Sequence, residues 1–145
     1  MKARELMTPN PECVTRDDTV TRAAEIMRDV DVGIVPVVDD RNSMRLVGLI
    51  TDRDITIRHV AGDNDRNCRV GDHMTSGRLF TVSPDDDAKQ VLAQMKAQQV
   101  RRLPVTEGER LVGIIAQADV AVNLAKDRET GDLVEKISTP SKQRR

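Results

Sequence analysis

The chain is nearly devoid of aromatic residues: its 145 residues include one phenylalanine and neither tyrosine nor tryptophan. Proteins that bind single-stranded nucleic acid commonly stack the bases on aromatic side chains, and that platform is missing here. The 23 lysines and arginines are balanced by 24 acidic residues, so the net charge of −1 gives no reason to expect a polyanionic partner. We therefore expect no nucleic-acid partner.

Long hydrophobic runs are missing as well. No apolar stretch approaches the roughly 18 residues that a membrane helix requires, and the N-terminal MKARELMTPNP lacks the apolar core of a secretory signal. A hydrophobic fraction of 38% and a charged fraction of 32% are typical of a globular protein. We predict a cytoplasmic protein with no membrane partner.

Cysteine and histidine occur only twice each. Cys13 and Cys68 form no CxxC pair, which argues against a zinc motif and against a disulfide framework, so we expect two reduced, packed thiols. His59 and His73 lack a second histidine at metal-ligand spacing, and a surface or structural role is predicted for each. The sequence therefore predicts no metal site.

The chain does contain an internal repeat, the signature of a modular fold. Residues 7–55 begin with MTPNPECV and close with LVGLITDRDI, and residues 74–120 begin with MTSGRLFTV and close with LVGIIAQADV. Matching positions recur in the same order in both copies: Val14 with Val82, Met27 with Met95, and Pro36 with Pro104. We predict four segments: repeat 1 over 7–60, a linker over 61–73, repeat 2 over 74–124, and a charged tail over 125–145 that holds one short helix at 132–137.

Each copy predicts the same series of elements. A helix follows the first short strand, with Asp17 or Asp18 as its cap in the first copy and Pro84 as its opening residue in the second. Two β-branched runs, IVPVV and RLVGLIT, predict paired strands, and a helix resumes at 52–59. The fold class is therefore α/β, with two pseudo-symmetric β-α-β-β-α repeats. Because a copy of fewer than about 60 residues has a marginal core, we expect the repeats to pack sheet to sheet as one module.

Two acids, Asp52 and Asp54, follow the last strand of the first copy. They are two positions apart and share no helix face, and no His, Glu or Lys is placed to tune them, so a catalytic pair is not expected and no enzyme is predicted. Thr51 and Asp54 have the spacing of a helix cap, and Asp52 should point to solvent. In the second copy Ala116 replaces the threonine while Asp119 remains.

The MT opening, the hydrophobic-Pro-Val strand and the GhhTxxDh ending, which occur in order in both copies, resemble those of a CBS domain. The chain is thus similar, from about Met7 to Leu124, to a stand-alone tandem CBS pair, or Bateman module. The resemblance implies a regulatory module without chemistry of its own, often a homodimer, that binds an adenine nucleotide or adenosyl ligand in a cleft between the repeats and acts on a regulated protein. AMP, ADP or ATP is the expected ligand, NAD and S-adenosylmethionine are alternatives, and no cofactor is required. A ligand-free dimerising interaction or stress-response protein is the competing interpretation.

The resemblance also implies which residues form the site. It pairs the TxxD segment of one copy with the residues before the hydrophobic-Pro-Val strand of the other. An exposed carboxylate in TxxD would accept hydrogen bonds from ribose hydroxyls, and an arginine fork suits phosphate. The first site, expected to be the better one for a phosphorylated nucleotide, combines Thr51 and Asp54 with Val100, Arg101 and Arg102. The second combines Asp119, beside Ala116, with Val32, Gly33 and Ile34.

Overall fold

The computed structural model of the chain describes residues 1–62 and 67–130, with side chains up to Lys126. The short helix predicted at 132–137 lies outside the described residues. None of the helices within these ranges has the length and apolarity needed to cross a membrane.

Each copy contains the predicted series of elements, although the first strand of the second copy is a single bridge at Val82. A four-residue helix that the sequence did not predict precedes each copy. Their bounds are α1 Ala3–Leu6, β1 Thr8–Pro9, β2 Val14–Thr15, α2 Val20–Val30, β3 Ile34–Val38, β4 Leu46–Thr51, α3 Asp52–Asp54, a π-helix Ile55–Val60, α4 Val70–His73, α5 Ala88–Gln98, β5 Arg102–Glu107, β6 Arg110–Ala116 and α6 Gln117–Thr130.

The chain divides into two compact units, each with its own hydrophobic core. The first-repeat unit comprises Pro11–Leu79 together with Glu109–Leu111. The second-repeat unit comprises Met1–Asn10, Phe80–Gly108 and the chain from Val112 onward. The ten residues that open the chain therefore belong to the unit built from the second repeat.

Each unit contains a three-stranded sheet. In the first-repeat unit the order is β2-β3-β4, with β2 parallel and β4 antiparallel to β3. In the second-repeat unit the order is β1-β6-β5, and β1 is antiparallel to β6. A matching antiparallel bridge joins Leu49 to Thr75 in the first-repeat unit. The mixed α/β fold class is confirmed, and the MT opening of each copy pairs with the last strand in the unit of the other copy.

The caps of the long helices correct two predictions. Thr19, and neither Asp17 nor Asp18, caps α2, since its hydroxyl accepts from the Arg22 amide at 3.1 Å. The carboxylate of Asp18 accepts from the Thr15 amide instead. In the second copy α5 begins at Ala88 and is capped by Asp87, so Pro84 lies in the preceding turn. Both predictions were early by one to four residues because neighbouring residues, Asp17 to Thr19 and Asp85 to Asp87, offer the same capping chemistry.

The segment after the last strand differs between the units. In the first-repeat unit the short α3 continues as the π-helix, whose closing hydrogen bond runs from the Ala61 amide to the Thr56 carbonyl at 3.1 Å. In the second-repeat unit the same position is occupied by the single helix α6. The helix predicted at 52–59 is confirmed, but its π-helical part has no signature in the sequence.

Candidate functional site

The acid-bearing turn of the first repeat is closed by reciprocal hydrogen bonds between Thr51 and Asp54. Thr51 Oγ1 accepts from the Asp54 amide at 3.0 Å, and Asp54 Oδ2 accepts from the Thr51 amide at 3.1 Å. This capping box satisfies two backbone amides where β4 gives way to α3. The capping role predicted from the Thr-x-x-Asp spacing is confirmed.

The carboxylate of Asp54 is buried, with 11% of its side chain exposed. The Thr75 hydroxyl donates to Oδ2 at 3.2 Å, and the Arg58 Nε lies 3.8 Å from Oδ1. The prediction of an exposed carboxylate at this position was wrong. The reason is tertiary: Thr75 bridges to Leu49, and this pairing brings its hydroxyl against the acid.

Asp52 occupies a different environment from Asp54. It is exposed, as predicted, and its Oδ1 accepts from the Arg53 amide at 2.8 Å. Its own amide donates to the Gly33 carbonyl at 2.9 Å, and a Cβ added to Gly33 would lie 2.9 Å from Asp52 Oδ2. A carboxylate therefore lies directly beside the Gly33 backbone, where glycine leaves room for it. The arrangement gives no support to a catalytic carboxylate pair.

The acid of the second repeat is exposed. Asp119 lies in the first turn of α6, where a negative charge is favourable. Its backbone carbonyl accepts from the Asn123 amide group at 2.7 Å. Within residues 1–62 and 67–126, no side chain or amide donates to the Asp119 carboxylate, since Ala116 supplies no capping hydroxyl. The exposed carboxylate expected in both repeats is therefore present at Asp119 and absent at Asp54.

The segments before β3 and β5 share a backbone path but differ in charge. Asp31 and Gln99 both adopt left-handed conformations that end the preceding helices, with φ of 60° and 55°. Val32 and Val100 then each donate back to a helix carbonyl, at 3.1 and 3.0 Å. Gly33 in the first copy corresponds to Arg101 in the second.

The two arginines of the second copy supply cationic groups to this segment. Arg101 is exposed and Arg102, the first residue of β5, is half-buried. Neither guanidinium forms an ion pair or hydrogen bond in the part of the chain with described side chains. The Arg101 carbonyl accepts from the Gln117 amide at 2.7 Å, so the arginine segment and the start of α6 lie side by side in the second-repeat unit. In the first-repeat unit the equivalent segment, Val32 to Ile34, lies beside Asp52.

Both histidines are buried, which excludes the surface position and leaves the structural role among the two alternatives predicted for each. His59 is 9% exposed and His73 is 8% exposed, and their ring centroids lie 5.3 Å apart in an edge-to-face arrangement. Sequence spacing missed this pair because 14 residues separate the two in the chain. The signal was in the repeat alignment, where leucines take both positions in the second-repeat unit: Leu6 corresponds to His73, and Leu124 to His59.

Comparison with known proteins agrees with the repeat. The family model described as CBS domain matches residues 3–58 and 70–126. Hypoxic response protein 1 of Mycobacterium tuberculosis is 37% identical over 122 residues, covering 84% of this chain and 84% of the relative.

Two solved structures are similar along most of the chain. The crystal structure of Hypoxic Response Protein I with two coordinated zinc ions has a TM-score of 0.74 at 37% identity and covers 84% of this chain and 98% of its own. The crystal structure of CBSX2 in complex with AMP has a TM-score of 0.72 at 25% identity and covers 88% of this chain and 98% of its own.

Proposed function

Because this chain belongs to the CBS-domain family as a tandem pair, we propose that it is a non-catalytic regulatory module that binds an adenine nucleotide. AMP in the CBSX2 complex supports this class of ligand. The observation in this chain that carries the proposal is the exposed carboxylate of Asp119 in the first turn of α6, for which the described residues supply no donor. A carboxylate held in this way is available to the two hydroxyls of a ribose.

We propose two ligand sites of unequal character, each pairing the acid turn of one repeat with the segment before the hydrophobic-Pro-Val strand of the other. The first uses Thr51 and Asp54 with Val100, Arg101 and Arg102. Its exposed Arg101 has no ion-pair partner among the described side chains, so this site suits a phosphate group. Ribose binding at Asp54 would require the carboxylate to exchange the Thr75 hydroxyl for a ribose hydroxyl.

The second proposed site uses Asp119 with Val32, Gly33 and Ile34. Its acid is already exposed, so ribose binding needs no exchange of hydrogen bonds. The carboxylate of Asp52 lies against Gly33, however, and would repel a phosphate. We propose that this site favours an adenosyl ligand of low negative charge, such as S-adenosylmethionine, and that AMP, ADP, ATP or NAD favours the first site.

Binding would regulate through a population shift, in which the ligand prefers one arrangement of the molecule and a protein partner recognises that arrangement. We propose that the functional form is a cytoplasmic homodimer. The aliphatic side chains of Ile57 and Val60 on the π-helix, 48% and 55% exposed, are candidates for a self-association surface.

The test is calorimetric titration of the full chain with AMP, ADP, ATP, NAD and S-adenosylmethionine. Arg101→Gln should weaken AMP, ADP and ATP about tenfold, which is the effect of about 1.4 kcal/mol, and leave S-adenosylmethionine unchanged. Asp119→Asn should weaken S-adenosylmethionine about tenfold and leave AMP, ADP and ATP unchanged. Arg78→Gln removes an arginine in a different segment and controls for the loss of a positive charge. Light scattering measures the oligomeric state. Absence of binding at millimolar concentration for all five compounds would overturn the proposal and leave the ligand-free interaction protein.

A further inference from the structure

Two buried imidazoles and a thiol meet within the first-repeat unit. One nitrogen of His59, one nitrogen of His73 and the Cys68 sulfur all lie within 4.8 Å of one another. Imidazole nitrogen and cysteine sulfur are ligands that zinc and related transition metals prefer. With metal–ligand distances of about 2.0 to 2.3 Å, the ligand atoms of a tetrahedral ion lie about 3.3 to 3.6 Å apart. A contraction of about 1 Å would therefore bring these three groups to metal-binding distances.

The imidazoles leave polar atoms buried without partners. His59 Nδ1 and His73 Nε2 are both inaccessible to solvent and have no hydrogen-bond partner among the residues that the structure describes. A buried polar atom without a partner is costly to the folded state, and native proteins rarely retain one without a reason. A cation that accepts a lone pair from each ring would remove this cost.

Packing does not explain the two histidines, because the second-repeat unit fills the equivalent positions with leucines. Leu6 and His73 each directly precede the Met-Thr pair that opens a copy, and Leu124 and His59 each lie five positions after the acid of the TxxD segment. Leu6 is part of the buried core of its unit, and Leu124 packs against that core. An apolar side chain is therefore sufficient for the fold at both positions, and imidazole in the first-repeat unit points to a ligand.

The three side chains are held by three separate segments. His59 lies on the π-helix, a conformation that is rare and frequently found at functional sites. His73 is the last residue of α4. The Cys68 carbonyl accepts from the Val20 amide at 2.8 Å, which anchors the half-buried cysteine at the start of α2. We infer that His59, Cys68 and His73 bind one divalent transition-metal ion of the zinc class, with one coordination position left for water or another ligand. The inference is independent of the proposed nucleotide sites.

The chain is well suited to a test because it contains only these two histidines and two cysteines. The full chain, without a histidine tag and after treatment with chelator, is titrated with Co²⁺ and then with Zn²⁺. We expect one Co²⁺ per chain, a thiolate-to-cobalt charge-transfer band, the visible absorption of a tetrahedral ion, and displacement of Co²⁺ by Zn²⁺. Cys68→Ser should abolish the charge-transfer band, and Cys13→Ser, which changes the cysteine outside the cluster, should retain it.

Leucine variants separate metal binding from folding. Because leucine occupies both positions in the second-repeat unit, the double variant His59→Leu/His73→Leu should fold, which circular dichroism measures. It should bind Zn²⁺ at least 100-fold more weakly. Cadmium-113 NMR of the wild-type chain provides a readout that requires no variant, with a chemical shift expected for mixed nitrogen and sulfur ligation. The inference is overturned by the absence of a charge-transfer band in wild type, by its loss in Cys13→Ser, by a cadmium shift typical of oxygen ligands, or by Zn²⁺ affinity within tenfold of wild type in the double variant.

Discussion

The hydroxyl of Thr75 donates to Oδ2 of Asp54 at 3.2 Å, although 21 positions separate the two residues in the chain. Thr75 opens the second copy of the repeat, and Asp54 is the acid that closes the first. Arg58 extends the contact, because its guanidinium lies near Asp54 and also donates to the His73 and Met74 carbonyls at 3.4 and 3.3 Å. A ligand that draws the Asp54 carboxylate away from Thr75 would therefore change the start of the second copy directly.

The two acids should differ in their effect on stability without ligand. Asp54→Asn removes the charge that accepts from the Thr51 amide and the Thr75 hydroxyl and that forms an ion pair with Arg58. It should lower the free energy of unfolding by about 2 kcal/mol. Asp119→Asn changes an exposed side chain and should cost less than about 0.5 kcal/mol. Urea unfolding of both variants measures the difference. Equal losses would show that the Asp54 contacts contribute little in solution.

The missing cap of the second repeat can be restored. Ala116→Thr places a hydroxyl at the start of α6, three residues before Asp119, and recreates the capping box that Thr51 and Asp54 form. We expect a gain of about 0.5 to 1 kcal/mol in the free energy of unfolding, measured by thermal denaturation. Ala118→Thr is the control, since this exposed position of the same helix offers no cap and threonine has the lower helix propensity. A gain in the control and none at position 116 would contradict the capping argument.

Gly48 should resist substitution. A Cβ added to it would lie 2.8 Å from the Thr75 carbonyl oxygen, a backbone atom held by the two hydrogen bonds between Leu49 and Thr75. Gly48→Ala should therefore cost about 1 to 3 kcal/mol, the range found for overpacking. Gly113 is the matched position in the second-repeat unit, where an added Cβ would lie 2.5 and 2.9 Å from Sδ and Cγ of Met7 and 3.0 Å from the Thr8 carbonyl oxygen. Because the Met7 side chain can rotate and the carbonyl is farther away than at Gly48, Gly113→Ala should cost less. Chemical denaturation of both variants checks the order.

Cys13 should be a slow nucleophile. Burial raises the pKa of its thiol, and the charge of Arg41 offsets only part of that effect. In the Cys68→Ser background, alkylation of the folded chain should be slower than that of the urea-unfolded chain, and its rate should continue to rise at pH values where the unfolded rate has levelled.

The same shift links Cys13 to stability at alkaline pH. Because the unfolded thiol loses its proton first, the stabilising contribution of the neutral thiol is present below the unfolded pKa and is lost as the pH rises through the folded pKa. An alkylation profile that coincides with that of the unfolded chain would exclude both effects.

The family, the repeat and the β-α-β-β-α series of each copy could be predicted from the sequence alone. These follow from local chemistry: β-branched runs form strands, Thr-x-x-Asp caps a helix, and two copies of one pattern fold in the same way. The capping of Asp54 by Thr51 and the exposure of Asp52 could be read from spacing because each involves neighbours on one turn.

The burial of Asp54 and of both histidines, and the contacts between distant side chains, could be seen only in the folded structure. Thr75 covers Asp54 because the MT opening pairs with β4, a contact that spacing along the chain does not encode. His59 and His73 come together because the π-helix and α4 pack in the same unit. The segments that carry them otherwise match those that carry Leu124 and Leu6 in the second-repeat unit. Burial and long-range proximity depend on the path of the whole chain, and they set the availability of Asp119 and the chemistry of the histidine pair.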